Sequence, residues 1–180
     1  MFSMQKSIAS LFGVVKDGPE AGSFPMQRRT DKEIGKDGKL KPQSFAKVLQ
    51  PMAAGKGGEE ETPYQILMRE VKEELGEEFV RVLSQKNEEE FFPVFEKEYI
   101  DKEGDKVKNY NYLAIITGND LKKIKIHSGA ESILVFLKRE DLDKIKTTKQ
   151  IEEKDIKDSD LVMFADQLSA LKGVIENLKK

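Results

Sequence analysis

The chain has 180 residues, with 31 lysines and arginines against 33 aspartates and glutamates, a formal net charge of −2. That near-balance leaves no basic excess to grip a nucleic-acid backbone by charge alone. The absence of cysteine excludes a disulfide scaffold and any cysteine-based zinc or nucleophile chemistry, and fits a reducing cytoplasm. No apolar run approaches the length that spans a bilayer, and residues 1–180 are expected to form one domain with its own core.

In chain order, Lys6 precedes Ile8, Ala9, Leu11, Phe12, Val14 and Val15. No clean small-residue cleavage site follows this stretch, and Lys16-Asp17-Gly18 reads as a turn. The segment is therefore expected to be a first β-strand rather than a leader peptide. Phe24 to Arg29 reads as a second strand, and the polar residues 30–44 as a surface loop with a turn at Asp37-Gly38. A short apolar piece, Phe45 to Ala54, leads into Gly55-Lys56-Gly57-Gly58. Thr62 to Leu75 reads as a helix, with Thr62 as N-cap, Pro63 in the first position, Gln65 completing a capping box, and Gly76 ending it in a left-handed conformation. Phe91 to Asp101 and Lys106 to Thr117 are expected to form a hairpin around Glu103-Gly104-Asp105. Ser132 to Leu137 reads as a short strand, followed by a charged stretch. From Asp160 onward, Leu161, Phe164, Leu168, Leu171, Ile175 and Leu178 recur at helical spacing.

The charge is unevenly spread. Residues 59–78 hold eight glutamates against Arg69 and Lys72, so that window carries −6 and the remaining residues +4. On the predicted helix, Glu70, Glu73 and Glu74 share one face, while Leu67, Met68, Val71 and Leu75 occupy the adjoining one. Like charges at this spacing repel, and Arg69 is a single guanidinium. A clustered, oxygen-only ligand set is what hard cations such as Mg²⁺ or Mn²⁺ require.

The stretch also carries a longer pattern. Gly55 is followed after five residues by Glu61, and after seven more by Arg69-Glu70-Val71-Lys72-Glu73-Glu74-Leu75-Gly76. This resembles the signature of the Nudix hydrolases, G-x5-E-x7-R-E-U-x-E-E-x-G-U, where U is a bulky apolar residue. The last position departs from it: Glu77 stands where an apolar residue is usual, with Phe79 placed to supply the packing. The loop is also altered, with Ala54 before Gly55 and Gly57, Gly58 and Glu60 after it. The resemblance implies an α/β/α sandwich with a mixed β-sheet. It further implies Mg²⁺- or Mn²⁺-dependent hydrolysis of a pyrophosphate bond in a nucleoside diphosphate linked to another moiety.

Carried over by position, Glu73 and Glu74 would be metal ligands, and Glu70 a ligand or base. A backbone carbonyl of Ala54 or Gly55 would complete the coordination, Arg69 would orient the carboxylates, and Glu61 would support the loop or an outer metal. The general base would come from the helix or from Glu131, just before the SILVFL strand. Arg28, Arg29 and Lys56 are candidate phosphate contacts. Phe45, Tyr110 and Tyr112 suit core packing better than base stacking, and His127 is read as structural. Pro93, 16 residues beyond Glu77, resembles a marker of ADP-ribose-cleaving relatives, and equally suits a strand edge. ADP-ribose, a nucleotide sugar and a nucleoside triphosphate all remain open as substrates. The expected partner is a small nucleotide, not a nucleic acid or a membrane, with room for a homodimer. The contrasting readings are a Nudix-like domain that binds a nucleotide or partner without turnover, and a merely solvated acidic helix. The retained box acids argue against the former, and the motif spacing of Gly55, Glu61 and Gly76 against the latter.

Overall fold

The computed structural model describes residues 5–30, 32–34, 37–42, 44–126 and 133–178. Strand β1 (Gln5–Val15) alternates its side chains between two interiors. Ala9 and Leu11 face one, and Phe12 and Val14 the other. It is flanked by β6 (Ala53–Gly57), which is antiparallel, and by β8 (Lys106–Ile116), which is parallel along all eleven residues of β1. Strand β7 (Phe91–Ile100) closes the order β6-β1-β8-β7 as an antiparallel edge, with a register break between Pro93 and Phe95. The hairpin joining β7 and β8 turns at Gly104, where φ is 85°.

Helix α1 (Pro63–Leu75) starts as its sequence dictates. Thr62 Oγ1 accepts from the Gln65 N–H at 3.2 Å, and the Thr62 N–H donates to Gln65 Oε1 at 2.9 Å. Gly76 then adopts φ 94° and ψ 161°. The φ is positive as expected, but the ψ belongs to an extended region that essentially only glycine reaches, not to the left-handed helix. The chain therefore turns directly into a second helix, α2 (Glu77–Ser84), which was not anticipated. Ile66, Leu67, Val71, Leu75, Phe79 and Leu83 are buried against Ala9, Leu11, Ala53, Ala114 and Ile116. Each large aliphatic so buried contributes roughly 1.5–3 kcal/mol. Phe79 is wholly buried there, in the role that Glu77 leaves vacant.

The opposite interior lies under α4 (Ala165–Leu178), whose Leu168, Leu171, Val174 and Ile175 pack with Phe12 and Leu113. It also packs on a second sheet made of β2 (Phe24–Arg28), β5 (Leu49–Gln50), β9 (Ile133–Leu137), β10 (Lys146–Thr147) and β11 (Val162–Met163). That sheet runs in the order β10-β11-β5-β2-β9. The C-terminal helix begins at Ala165 rather than Asp160, because Val162 and Met163 pair as strand β11 before the helix starts. The polar segment 30–44 is not wholly loop: β3 (Lys32–Ile34) and β4 (Leu40–Pro42) pair across the Asp37-Gly38 turn. A four-residue helix, α3 (Gly118–Leu121), follows β8. The whole is an α/β/α sandwich built on mixed sheets, the architecture that the signature implied. No helix among the described residues is long and apolar enough to cross a membrane.

Candidate active site

The loop between β6 and α1 is held by one guanidinium. Arg69 Nε donates to Glu61 Oε1 at 3.0 Å, while Nη2 donates to the Lys56 carbonyl at 2.9 Å and to Glu61 Oε2 at 3.3 Å. The same Glu61 oxygen accepts the Gly58 N–H at 3.0 Å. Arg69 Nη1 reaches Glu70 Oε1 at 2.5 Å and stands 3.8 Å from Glu73. These contacts explain the fixed spacing of Glu61 and Arg69, since together they staple the loop to the second turn of the helix. Arg69 holds the Glu61 carboxyl below its usual range, helped by the Gly58 N–H.

Two glycines bring the strand close to the helix. A Cβ at Gly55 would overlap the Glu70 side chain, and one at Gly57 would overlap Ile66 Cδ1. Gly55 thus has a steric reason for its identity, apart from any ligand role of its carbonyl. Glu70 enters the space so created and is mostly shielded from water, with its side chain 13% exposed. Burial pushes its pKa up, against the pull of Arg69.

Glu74, one turn further on, is more deeply placed. Burial, the Glu70 charge and the Glu73 charge push it up to about 8, opposed by the Ala54 N–H and by Gln27. The Gln27 Nε2 lies 3.4 Å from Glu74 Oε2 and also donates to the Met52 carbonyl. Glu73 is exposed. The structure therefore gathers Gly55, Glu61, Arg69, Glu70, Glu73 and Glu74 at one place, and adds Gln27, which had not been singled out. The signal for Gln27 was a lone amide in a strand whose other central residues are all core.

The other candidates fall elsewhere. Arg28, next to Gln27 on β2 and so on the opposite face, donates to the Lys47 carbonyl at 3.0 Å and the Asp160 carbonyl at 3.1 Å. Burial lowers its pKa. Arg29 donates to the Ser44 carbonyl at 3.0 Å and lies 5.6 Å from the centre of the Phe164 ring. Lys56 is exposed on β6, beside Gly55. Phe45 packs edge-on against Phe164, and Tyr112 against Phe91, as core aromatics do. Tyr110 lies under the Lys108 ammonium, and Pro93 stands at the irregularity of the β7 edge. Glu131 and His127 lie outside the described residues.

A second acidic group, not anticipated, sits at the β7–β8 turn. Asp101, Glu103 and Asp105 bring carboxylate oxygens within 4.8 Å of one another. The Lys6 ammonium meets them at 2.9, 2.6 and 2.9 Å respectively.

No family model matches the chain, and no curated protein matches it by sequence. Solved structures do. The NUDIX domain of Shewanella oneidensis NrtR, complexed with ADP ribose, superposes with a TM-score of 0.57 at 12% identity, over 98% of this chain and 90% of that one. A mutT/nudix family protein from Listeria innocua gives 0.56 at 18% identity, covering 97% and 93%. A bifunctional NMN adenylyltransferase/ADP ribose pyrophosphatase from Francisella tularensis, complexed with AMP and a Mn ion, gives 0.56 at 15% identity, over 97% of this chain and 42% of that one. At these identities the likeness speaks to architecture, and it agrees with the signature read from Gly55 to Gly76: the chain has the Nudix fold.

Proposed function

We propose that this protein is a divalent-cation-dependent hydrolase that cleaves the pyrophosphate bond of a nucleoside diphosphate linked to a further group. The observation that supports the reading is the half-buried pair Glu70 and Glu74. Arg69 hydrogen-bonds Glu70 but not Glu74, which has only the neutral donors Ala54 N–H and Gln27 and is pushed up to about 8. Carboxylates that repel one another in a half-shielded place are costly unless a cation stands among them. The residues fit one: the donors are all oxygens, and the glycine at position 55 keeps the strand clear of Glu70.

Glu73 and Glu74 would hold the cation, with Glu70 as a further ligand or as the base that takes a proton from the attacking water. The carbonyl of Ala54 or Gly55 would complete the set. When bound, the cation supplies neutralisation of the diphosphate and acidification of a coordinated water. Arg69 orients Glu70 and fixes the loop through Glu61. Lys56 lies between Gly55 and Gly57 on β6, so its side chain leaves the strand on the face away from Glu70, and a phosphate role for it would require a reach around the strand. Arg28 and Arg29 anchor backbone carbonyls, so a phosphate role for either would require those bonds to be exchanged. Glu131 is retained as the second candidate for the base. ADP ribose in the Shewanella complex and AMP in the Francisella complex support an adenine nucleotide as the first substrate class to try.

A product-resolved assay tests the reading. The panel holds nucleoside triphosphates, oxidised nucleotides, ADP-ribose, nucleotide sugars, dinucleoside polyphosphates and capped RNA, each with and without Mg²⁺ or Mn²⁺. Metal-dependent cleavage of at least one is expected. Cleavage of none, with nucleotide binding retained, would replace the enzyme with a non-catalytic nucleotide-binding domain.

A further inference from the structure

Gln27 is the fourth of the five residues of β2, wholly buried, with Met26 and Phe24 of the same strand in the core. Its backbone pairs with Gln50 on one side and Leu134 on the other. Packing alone would be served better by an aliphatic side chain, since a buried amide must satisfy two donors and an acceptor. Its donors are accounted for. Nε2 meets the Met52 carbonyl and faces Glu74 Oε2 at 3.4 Å. The Met52 carbonyl can only accept, so rotating the amide by half a turn would set Oε1 against another acceptor. The orientation of the side chain is thereby fixed. Oε1 is left at the other end of the amide, buried and without a protein partner. Such orphans in native interiors call for an explanation, commonly a water or ion.

The surroundings narrow that explanation. Met52 accepts from Gln27, and Ala54, two residues on, donates to Glu74. Gln27 and Glu74 therefore grip the same short segment that leads into Gly55. The contact joins β2 to α1 across 47 positions of sequence.

Resting on the hydrolase reading above, we propose that Gln27 is a positioning residue of the carboxylate centre. Its N–H groups hold Glu74 and the 52–54 segment in one geometry, and its Oε1 would accept a hydrogen bond from a water brought in with the cation. Partners of this kind around metal ligands characteristically alter affinity or activity by about 10- to 100-fold when removed.

The test uses the full chain stripped of metal, without substrate. Mn²⁺ affinity is read from the electron paramagnetic resonance signal of the free ion, and water on the bound ion from the relaxation rate of solvent protons. Gln27→Leu removes the amide, and Gln27→Met does so with an unbranched chain of similar length, in case the leucine variant fails to fold. Both are expected to bind Mn²⁺ about tenfold more weakly or worse, and to change the relaxation rate per bound ion. Glu78→Gln, an exposed position on α2, should match the parent. Parental affinity, or an unchanged relaxation rate per bound ion, in both variants overturns the role of Gln27 while leaving the hydrolase reading intact. A parent protein that binds no Mn²⁺ overturns both.

Discussion

The molecule holds two acidic clusters that look alike in composition and differ in state. At the β7–β8 turn, Asp101, Glu103 and Asp105 converge on Lys6, and Asp101 also accepts the N–H groups of Glu103 and Asp105 at 2.9 and 3.0 Å. Those bonds hold the Asp101 carboxyl below its usual range and Lys6 above its own. On α1, by contrast, Arg69 directs most of its hydrogen bonds to Glu61 and to a backbone carbonyl, and Glu74 has only the neutral donors Ala54 N–H and Gln27 against burial and like charge. The tighter cluster is the one whose three carboxylates share an ammonium. Closeness alone does not mark carboxylates as a cation site, since a lysine can hold them together.

The largest expected contrast is in turnover. Glu74→Gln should lower metal-dependent hydrolysis by about 100-fold or more, while Asp105→Asn should leave it near the parental rate in the same assay. Comparable losses in both would erase the distinction between the clusters. Gly55→Ala comes next: a methyl group there meets the Glu70 side chain, so thermal or denaturant unfolding should show a loss of about 1–3 kcal/mol, together with reduced turnover.

A pH series sharpens the difference in sign. Glu74 titrates near 8 in the folded protein against an ordinary 4.5. Between those values the folded state holds the extra proton, so metal-free stability should fall as pH rises from about 4.5 to about 8, by on the order of a few kcal/mol. Unfolding curves of Glu74→Gln should lack that decline, and Mg²⁺ should abolish it in the parent. The same variant is thus expected to be more stable without metal and far less active with it. Asp101 moves the other way: its depressed carboxyl contributes stability above its usual pKa that is lost on acidification. The smallest effect belongs to Lys6→Met. It should lower the melting temperature slightly, and less so in high salt, with turnover unchanged.

What could be read from the sequence followed the range of the interactions involved. The start of α1 was legible because Thr62, Pro63 and Gln65 act within one turn. The β7–β8 hairpin was legible from the chemistry of Glu103-Gly104-Asp105. Helix α2 was hidden because a glycine after an amphipathic run usually ends helical structure, whereas Gly76 redirects it. Val162 and Met163 were drawn into the helical pattern because a short strand and a helix onset share apolar residues, and only pairing with β5 and β10 separates them. The carboxylates were legible as a group from the 3.6-residue period. Which of them is buried depends on β2 and on the Met52–Ala54 segment, far away in sequence. Neighbouring residues of a strand point to opposite sides, and the charged Arg28 lies on the side away from Glu74. Gln27, uncharged and flanked by core, was the one that faced it.

The parallel pairing of β1 with β8 has a consequence in time. Every residue pair in that ladder, from Gln5 with Lys106 to Val15 with Ile116, joins positions 101 apart in the chain. As the chain is made, β6 and α1 can dock on β1 from one side, but its other edge has no partner until β8 has been synthesised. An apolar, interior strand thus waits with an open flank, the condition under which chains pair with the wrong neighbour. The segment that separates the two strands carries the acidic window, and like charge on two such segments opposes their approach.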